Sequence, residues 1–170
     1  TLAIAFRLVP LALPTIDGLG LPQILKDLVS KPRGLVLVTG PTGSGKSTTM
    51  AAMVSHLNRT QRRNVITIED PIEYLYSDQK CVITQRDLGD DTKSFSSALI
   101  RALRHDVDVI VIGDLRDLAT ISTALRAAET GHLVIGTLHT NDAAQSIDRI
   151  VDIFPSDQQR QVRLQLSQVI

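Results

Sequence analysis

Cysteine is nearly absent from this chain: Cys81 is the single one among 170 residues. One thiol cannot close an internal disulfide or build a cysteine-rich metal site, and it suits a reducing compartment. With no histidine near it in sequence, Cys81 reads as a small buried residue. Net charge is lacking too, with 18 basic residues set against 18 acidic ones. Without a basic excess there is no electrostatic footprint for nucleic acid, and no direct nucleic-acid partner is expected. Long apolar runs are missing: Gly34 to Val38 and Val109 to Ile112 fall far short of the roughly 20 residues that cross a bilayer. The chain is not expected to span a membrane by itself. No charged-then-apolar leader opens it, so nothing marks it for export. Internal repeats and low-complexity segments are absent as well.

What is present is the make-up of one globular domain, with 43% apolar residues and enough length for a proper core. Runs of β character alternate with runs of helical period, which predicts an α/β fold with a mostly parallel sheet flanked by helices. Gly34 to Gly40, Asn64 to Asp70, Asp108 to Asp114 and His132 to His139 read as core strands, with Cys81 to Gln85 a further candidate. Helices are expected from Lys46 to Asn58, Leu118 to Glu129 and Asp142 to Val151, and from Lys93 to Arg104. In that last segment Phe95, Ala98, Leu99, Ala102 and Leu103 make one apolar face. Gly131 sits where a left-handed C-cap belongs. Ser156 and Gln159 have the spacing of a capping box, followed by the stripe Val162, Leu166 and Val169. Leu21 to Leu28 reads as a short helix with Pro22 in its first turn. Residues 1–14 are expected to be the tail of a preceding domain or linker and 15–170 one folded domain, truncated at its C-terminus.

The strongest chemical signal is Gly40-Pro41-Thr42-Gly43-Ser44-Gly45-Lys46-Ser47, which satisfies G-x-x-x-x-G-K-[ST] between a predicted strand and a predicted helix. Glycines let the backbone wrap an anion, and amides at a helix N-terminus point at phosphate oxygens. Lys46 adds a point charge, and the Ser47 hydroxyl can ligate Mg²⁺, with Thr48 alongside. Turnover also needs a metal-orienting acid and a group that aligns water. Asp114, after Val-Ile-Val-Ile-Gly, has the apolar-strand-then-acid form of a Walker B residue. Glu69 and Asp70 emerge at the equivalent end of another strand, where open α/β sheets bind ligands. An isolated strand-end acid commonly serves as an N-cap or turn residue, but two beside a P-loop favour chemistry. His132 and His139 are seven positions apart, so a regular strand turns them to opposite faces. One can reach a bound phosphate, while His56 and His105 read as ordinary hydrogen-bonded histidines.

Taken in order, Gly-Pro-Thr-Gly-Ser-Gly-Lys-Ser-Thr-Thr, Thr-Ile-Glu-Asp-Pro-Ile-Glu, Val-Ile-Gly-Asp-Leu-Arg-Asp and Glu-Thr-Gly-His-Leu-Val-Ile-Gly-Thr-Leu-His-Thr resemble the secretion ATPases. Within them the chain is most similar to the PilT-type retraction ATPases of type IV pili, from Phe6 through Pro155. The resemblance implies a RecA-like P-loop core that binds ATP and Mg²⁺ and works as a homohexamer. It implies Lys46 and Ser47 as the Walker A pair, Glu69 as general base, Asp114 as the Walker B acid and metal ligand, His132 and His139 as a His box, and Arg7 as an interface arginine. It further implies a place at the cytoplasmic face of the inner membrane, against a pilus platform protein, driving retraction and twitching motility. Pilus assembly and type II secretion are the family alternatives, and a weakly active nucleotide-binding partner of a true motor is another. The chain departs from the family in having Asp114 where Glu is usual and Val107 where Pro is usual. The shorter carboxylate predicts slower turnover.

Overall fold

The runs rich in β-branched residues become the centre of a sheet, because strands of this kind tolerate burial on both faces. The computed structural model describes residues 10 and 12–170. Its elements run α1 (Ile24–Val29), β1 (Gly34–Thr39), α2 (Lys46–Thr60), β2 (Asn64–Glu69), β3 (Val82–Asp87), α3 (Phe95–Ala102), β4 (Val109–Ile112), α4 (Leu118–Glu129), β5 (Leu133–Leu138), α5 (Ala143–Asp152) and α6 (Gln159–Val169). The five strands form one sheet in the order β1-β5-β4-β2-β3, and every neighbouring pair is parallel. All four residues of β4 and all six of β5 are buried.

Strand parity divides the core into two layers. Val65, Val109, Val111, Leu133 and Ile135 pack with Val29, Met50, Met53, Val54 and Leu57, so this face carries α1 and α2. Ile66, Ile68, Ile110, Ile112 and Val134 meet Leu99, Leu125, Ile150, Val151 and Leu166 on the other face, which carries α3 to α6. The sheet is thus the middle of three layers. Its register lines up the carboxyl ends of the strands, with Glu69 of β2 opposite Asp87 of β3 and Thr39 of β1 opposite Leu138 of β5.

The helix starts follow their caps. Ser94 accepts from Ser97 N at 3.1 Å, Asp117 from Thr120 N at 2.9 Å and Asp142 from Gln145 N at 2.8 Å, each a side-chain oxygen satisfying a first-turn amide. The first of these starts α3 two residues later than the sequence suggests, and α3 ends at Ala102, which leaves His105 in a turn. Gly131 follows the end of α4 with φ 113°, as expected of the residue that turns the chain.

Two sequence expectations fail. Ser156 and Gln159 make no capping box: residues 156–158 form a turn after Pro155, closed by Gln158 N to the Pro155 carbonyl at 2.9 Å. The helix begins only at Gln159, which donates Nε2 back to the Phe154 carbonyl at 3.2 Å. Likewise α1 begins at Ile24: Leu21 and Pro22 lie between the turn over 16–20 and the helix, and Pro22 contributes only a carbonyl, to Leu25 N.

At the sheet edge, Ile83, Gln85 and Asp87 of β3 turn their N–H groups away from β2, by the alternation of a parallel ladder. Two of these three are covered from within the chain. Ile83 N donates to Asp78 Oδ1 at 3.0 Å and Asp87 N to Asp91 Oδ2 at 2.8 Å.

Candidate functional site

The turn from β1 into α2 is built for close approach by an anion. Gly40 has φ 148°, and a Cβ there would lie 2.5 Å from Ser44 Oγ, so only glycine lets the loop fold over itself. Gly45 is the N-cap of α2, in the left-handed region at φ 94°, and supplies no side-chain cap. No acidic residue occupies the first turn of α2. The amides of Lys46, Ser47 and Thr48, ahead of the first helical bond from Thr49 N to the Gly45 carbonyl, therefore face outward at the positive end of the helix dipole. Pro41, Thr42, Gly43 and Ser44 are exposed around this mouth. Lys46 Nζ lies over it, donating to the carbonyls of Gly40 at 2.9 Å and Pro41 at 3.0 Å.

A cleft of about 520 Å³ opens from this loop across the carboxyl ends of the strands. It is lined by Lys46, Ser47, Thr48, Glu69, Asp114 and His139, among others. Parity explains the company: Glu69, Gly113, Thr137 and His139 all leave their strands on the α2 side. His132 does not join them. It sits at the start of β5, where Nδ1 lies 3.0 Å from the Ala127 carbonyl, and six strand residues put it roughly 20 Å from His139. Arg7 lies outside the described residues.

Glu69 is half-buried at the end of β2. Its Oε1 accepts from Thr67 Oγ1 at 2.6 Å and from Gln85 Nε2 at 3.4 Å. Burial pushes its pKa above the ordinary carboxylate value, and the hydrogen bonds from Thr67, Gln85 and the Glu73 backbone only partly oppose it. A carboxylate held this way is a stronger base than one in water.

Asp114 is buried, its side chain 9% exposed. Arg116 Nε donates to its Oδ2 at 2.6 Å, and His139 Nε2 lies 3.2 Å from the same oxygen. Arg116 also reaches Asp70 Oδ2 at 3.7 Å. The hydrogen bond to Asp114 strengthens the guanidinium's hold on its proton. Arg116 was not singled out in the sequence; the spacing Asp-Leu-Arg, two positions apart on a chain leaving a strand, is the signal that could have found it.

The segment from Asp70 to Cys81 contributes Asp70, Pro71, Glu73, Tyr74 and Tyr76 to the lining of the cleft. Tyr74 Oη lies 3.1 Å from Thr48 Oγ1. Burial holds the Tyr76 hydroxyl far above its usual pKa, with Glu69 adding to the effect. Side chains outside the segment pin its backbone: Asp87 Oδ2 accepts from Ile72 N at 2.9 Å, and Gln85 takes Tyr76 N at 2.9 Å and gives Nε2 to the Tyr74 carbonyl at 2.8 Å. Asn58, 1% exposed on α2, donates to the Ser77 carbonyl at 2.8 Å and accepts from Gln79 N and Cys81 N. Cys81 is buried, as its sequence setting suggests.

Residues 16–170 match the family model described as type II/IV secretion system protein. The chain belongs to that family. It is 54% identical over 163 residues to the type IV pilus retraction ATPase PilT of Pseudomonas aeruginosa, an alignment covering 96% of this chain and 47% of that protein. It is 52% identical over 166 residues to a twitching motility protein of Neisseria gonorrhoeae, covering 98% of this chain and 44% of the relative. A crystal structure of the pilus retraction motor PilT with bound ADP superposes with a TM-score of 0.94 at 57% identity, over 96% of this chain and 48% of that one. The chain therefore spans about half the length of the family members it matches, and its fold is the RecA-like P-loop core of this family.

The donor set fits a nucleoside triphosphate with Mg²⁺. Glycine-lined backbone, an uncapped helix start and an amine suit phosphate oxygens. Mg²⁺ is ordinarily held by one or two protein oxygens together with substrate phosphates. The Ser47 hydroxyl and the Asp114 carboxylate are oxygens of that kind, and both line the one cleft.

Proposed function

We propose that this chain is the catalytic core of an ATP-hydrolysing motor for type IV pilus retraction. The observation that carries the reading is the convergence of the P-loop, Glu69 and Asp114 on one cleft in a chain so similar to retraction ATPases. Lys46 and the first amides of α2 hold the β- and γ-phosphates. Ser47 and Asp114 hold Mg²⁺, which when bound offsets the charge of the phosphate oxygens. Glu69 takes a proton from a water molecule as that water attacks the γ-phosphorus, and the bond from phosphorus to the β-phosphate oxygen breaks. The raised proton affinity of Glu69 suits that transfer. His139, 3.2 Å from Asp114 Oδ2, keeps that acid oriented.

The working form is a homohexamer at the cytoplasmic face of the inner membrane, pushing on a pilus platform protein. The similarity to motor proteins supports this form, and in it Arg7 is an interface arginine that completes a neighbour's site. Pilus assembly or type II secretion by the same chemistry is the second reading, since 47% identity over 133 residues also links the chain to a type II secretion system protein E of Aeromonas hydrophila.

Two experiments test the proposal. In the full-length protein, Lys46→Ala should abolish nucleotide binding or turnover, and Glu69→Gln should keep binding while losing hydrolysis; an active Glu69→Gln enzyme removes Glu69 as the base. Counting surface pili with and without the gene sets the direction of work. Excess non-retracting pili mean retraction, whereas bare cells mean assembly.

A further inference from the structure

We propose that Gln85, on the edge strand β3, is a positioning residue for Glu69 and ties it to the segment that rests on the phosphate-binding helix. The inference rests on the reading of Glu69 as the base.

Register brings the two side chains together. Gln85 stands opposite Thr67, two residues before Glu69 on the neighbouring strand, so all three side chains leave the sheet on the same face. The Gln85 amide is then fully engaged. Its Oε1 accepts from Tyr76 N at 2.9 Å, and its Nε2 donates to the Tyr74 carbonyl at 2.8 Å and to Glu69 Oε1 at 3.4 Å. The orientation is set by its partners, because reversing the amide would turn its oxygen toward a carbonyl and a carboxylate at once. Only a residue carrying one acceptor and two donors on a planar end satisfies this set. Glutamate cannot donate, and methionine can do neither.

The tie extends to α2. Tyr74, whose carbonyl Gln85 holds, places its hydroxyl 3.1 Å from Thr48 Oγ1, next to Ser47 in the first turn. Glu69, Gln85, Tyr74 and Thr48 thus form a bonded path from the base to the start of the helix that binds phosphate. A carboxylate that must align a water needs its position held to a fraction of an ångström, and one misplaced by about 1 Å costs on the order of 100-fold in rate. Thr67 alone fixes Glu69 along its own strand; Gln85 fixes it across the sheet.

The test is a double-mutant cycle in the full-length protein. Gln85→Met keeps the volume and removes all three bonds. It should lower kcat about 10- to 100-fold, with KM for ATP and affinity for a fluorescent ADP analogue within about 2-fold of the parent, the pattern of a group that matters only once the transition state forms. Gln85→Glu, which keeps the acceptor for Tyr76 N, should be equally slow. In a Glu69→Gln background, Gln85→Met should slow the residual rate no further. An unchanged kcat in Gln85→Met overturns the proposal. So does a loss of ADP affinity that matches the loss of rate, or an equal penalty in both backgrounds, since each means that Gln85 acts without Glu69. Full activity of Glu69→Gln alone is a separate result, and it removes the base assignment itself.

Discussion

Arg116 Nε lies 2.6 Å from Asp114 Oδ2, so the buried strand-end acid meets the cleft already neutralised by a residue two positions along its own chain. The Arg116 side chain is 59% exposed while that of Asp114 is 9% exposed, which makes the pair unequal. Removing the arginine leaves a buried carboxylate with His139 as its remaining partner. Arg116→Ala should lower stability by about 1–2 kcal/mol, below the cost of breaking a fully buried pair because solvent screens the guanidinium. Thermal unfolding at low and high salt measures this, and a loss confined to low salt would mean a purely surface interaction.

Asp114→Glu restores the side chain usual in the family and carries the carboxylate one methylene further into the cleft. Turnover should rise about 2- to 10-fold, equivalent to roughly 0.4–1.4 kcal/mol in the barrier. Steady-state phosphate release from the assembled protein reads it. An unchanged rate would mean that the shorter acid serves equally well.

Glu69 gives a prediction in pH. Its folded-state pKa lies above the ordinary value, so the site favours the protonated form and the ionised form costs stability. The contribution is fully present below the unfolded carboxylate pKa and is lost as pH rises through the raised folded value. Glu69→Gln should therefore melt at a higher temperature than the parent at neutral pH. The gap should close as pH falls below the usual carboxylate range. For the parent, the acidic limb of the hydrolysis profile should sit higher than an exposed glutamate would place it.

Asn58→Ala removes the side chain that holds Ser77, Gln79 and Cys81. Two backbone amides and a carbonyl near the protein interior lose their partner, at a cost of about 2–3 kcal/mol. Proteolysis should shift to residues 75–80 at a rate well above that of the parent, with nucleotide binding at the P-loop little affected.

The strands and the P-loop were legible because their signals are local: β-branched runs for β1, β2, β4 and β5, and glycines at fixed spacing for the loop. Parity alone separated His132 from His139, and the structure bears that out. What stayed hidden depends on register and on turns. Nothing near Gln85 or Asn58 in sequence tells that each clamps a segment 11 or 19 residues away, since β2–β3 pairing and the packing of α2 decide it. Arg116 was visible only as part of a motif, because its partner becomes a buried acid only after β4 is enclosed. The Ser156–Gln159 pattern misled for the opposite reason: Pro155 starts a turn that uses up the residues a cap would need.

The aspartates that cover Ile83 N and Asp87 N set the terms on which anything can meet this side of the molecule. A bare strand edge invites zippering, a lengthwise bond between backbones that is slow to undo and indifferent to who supplies it. Here that route is shut at two of the three amides, which favours contacts through side chains instead. Such contacts can be selective, and they can be released and remade during a cycle without unpicking a strand.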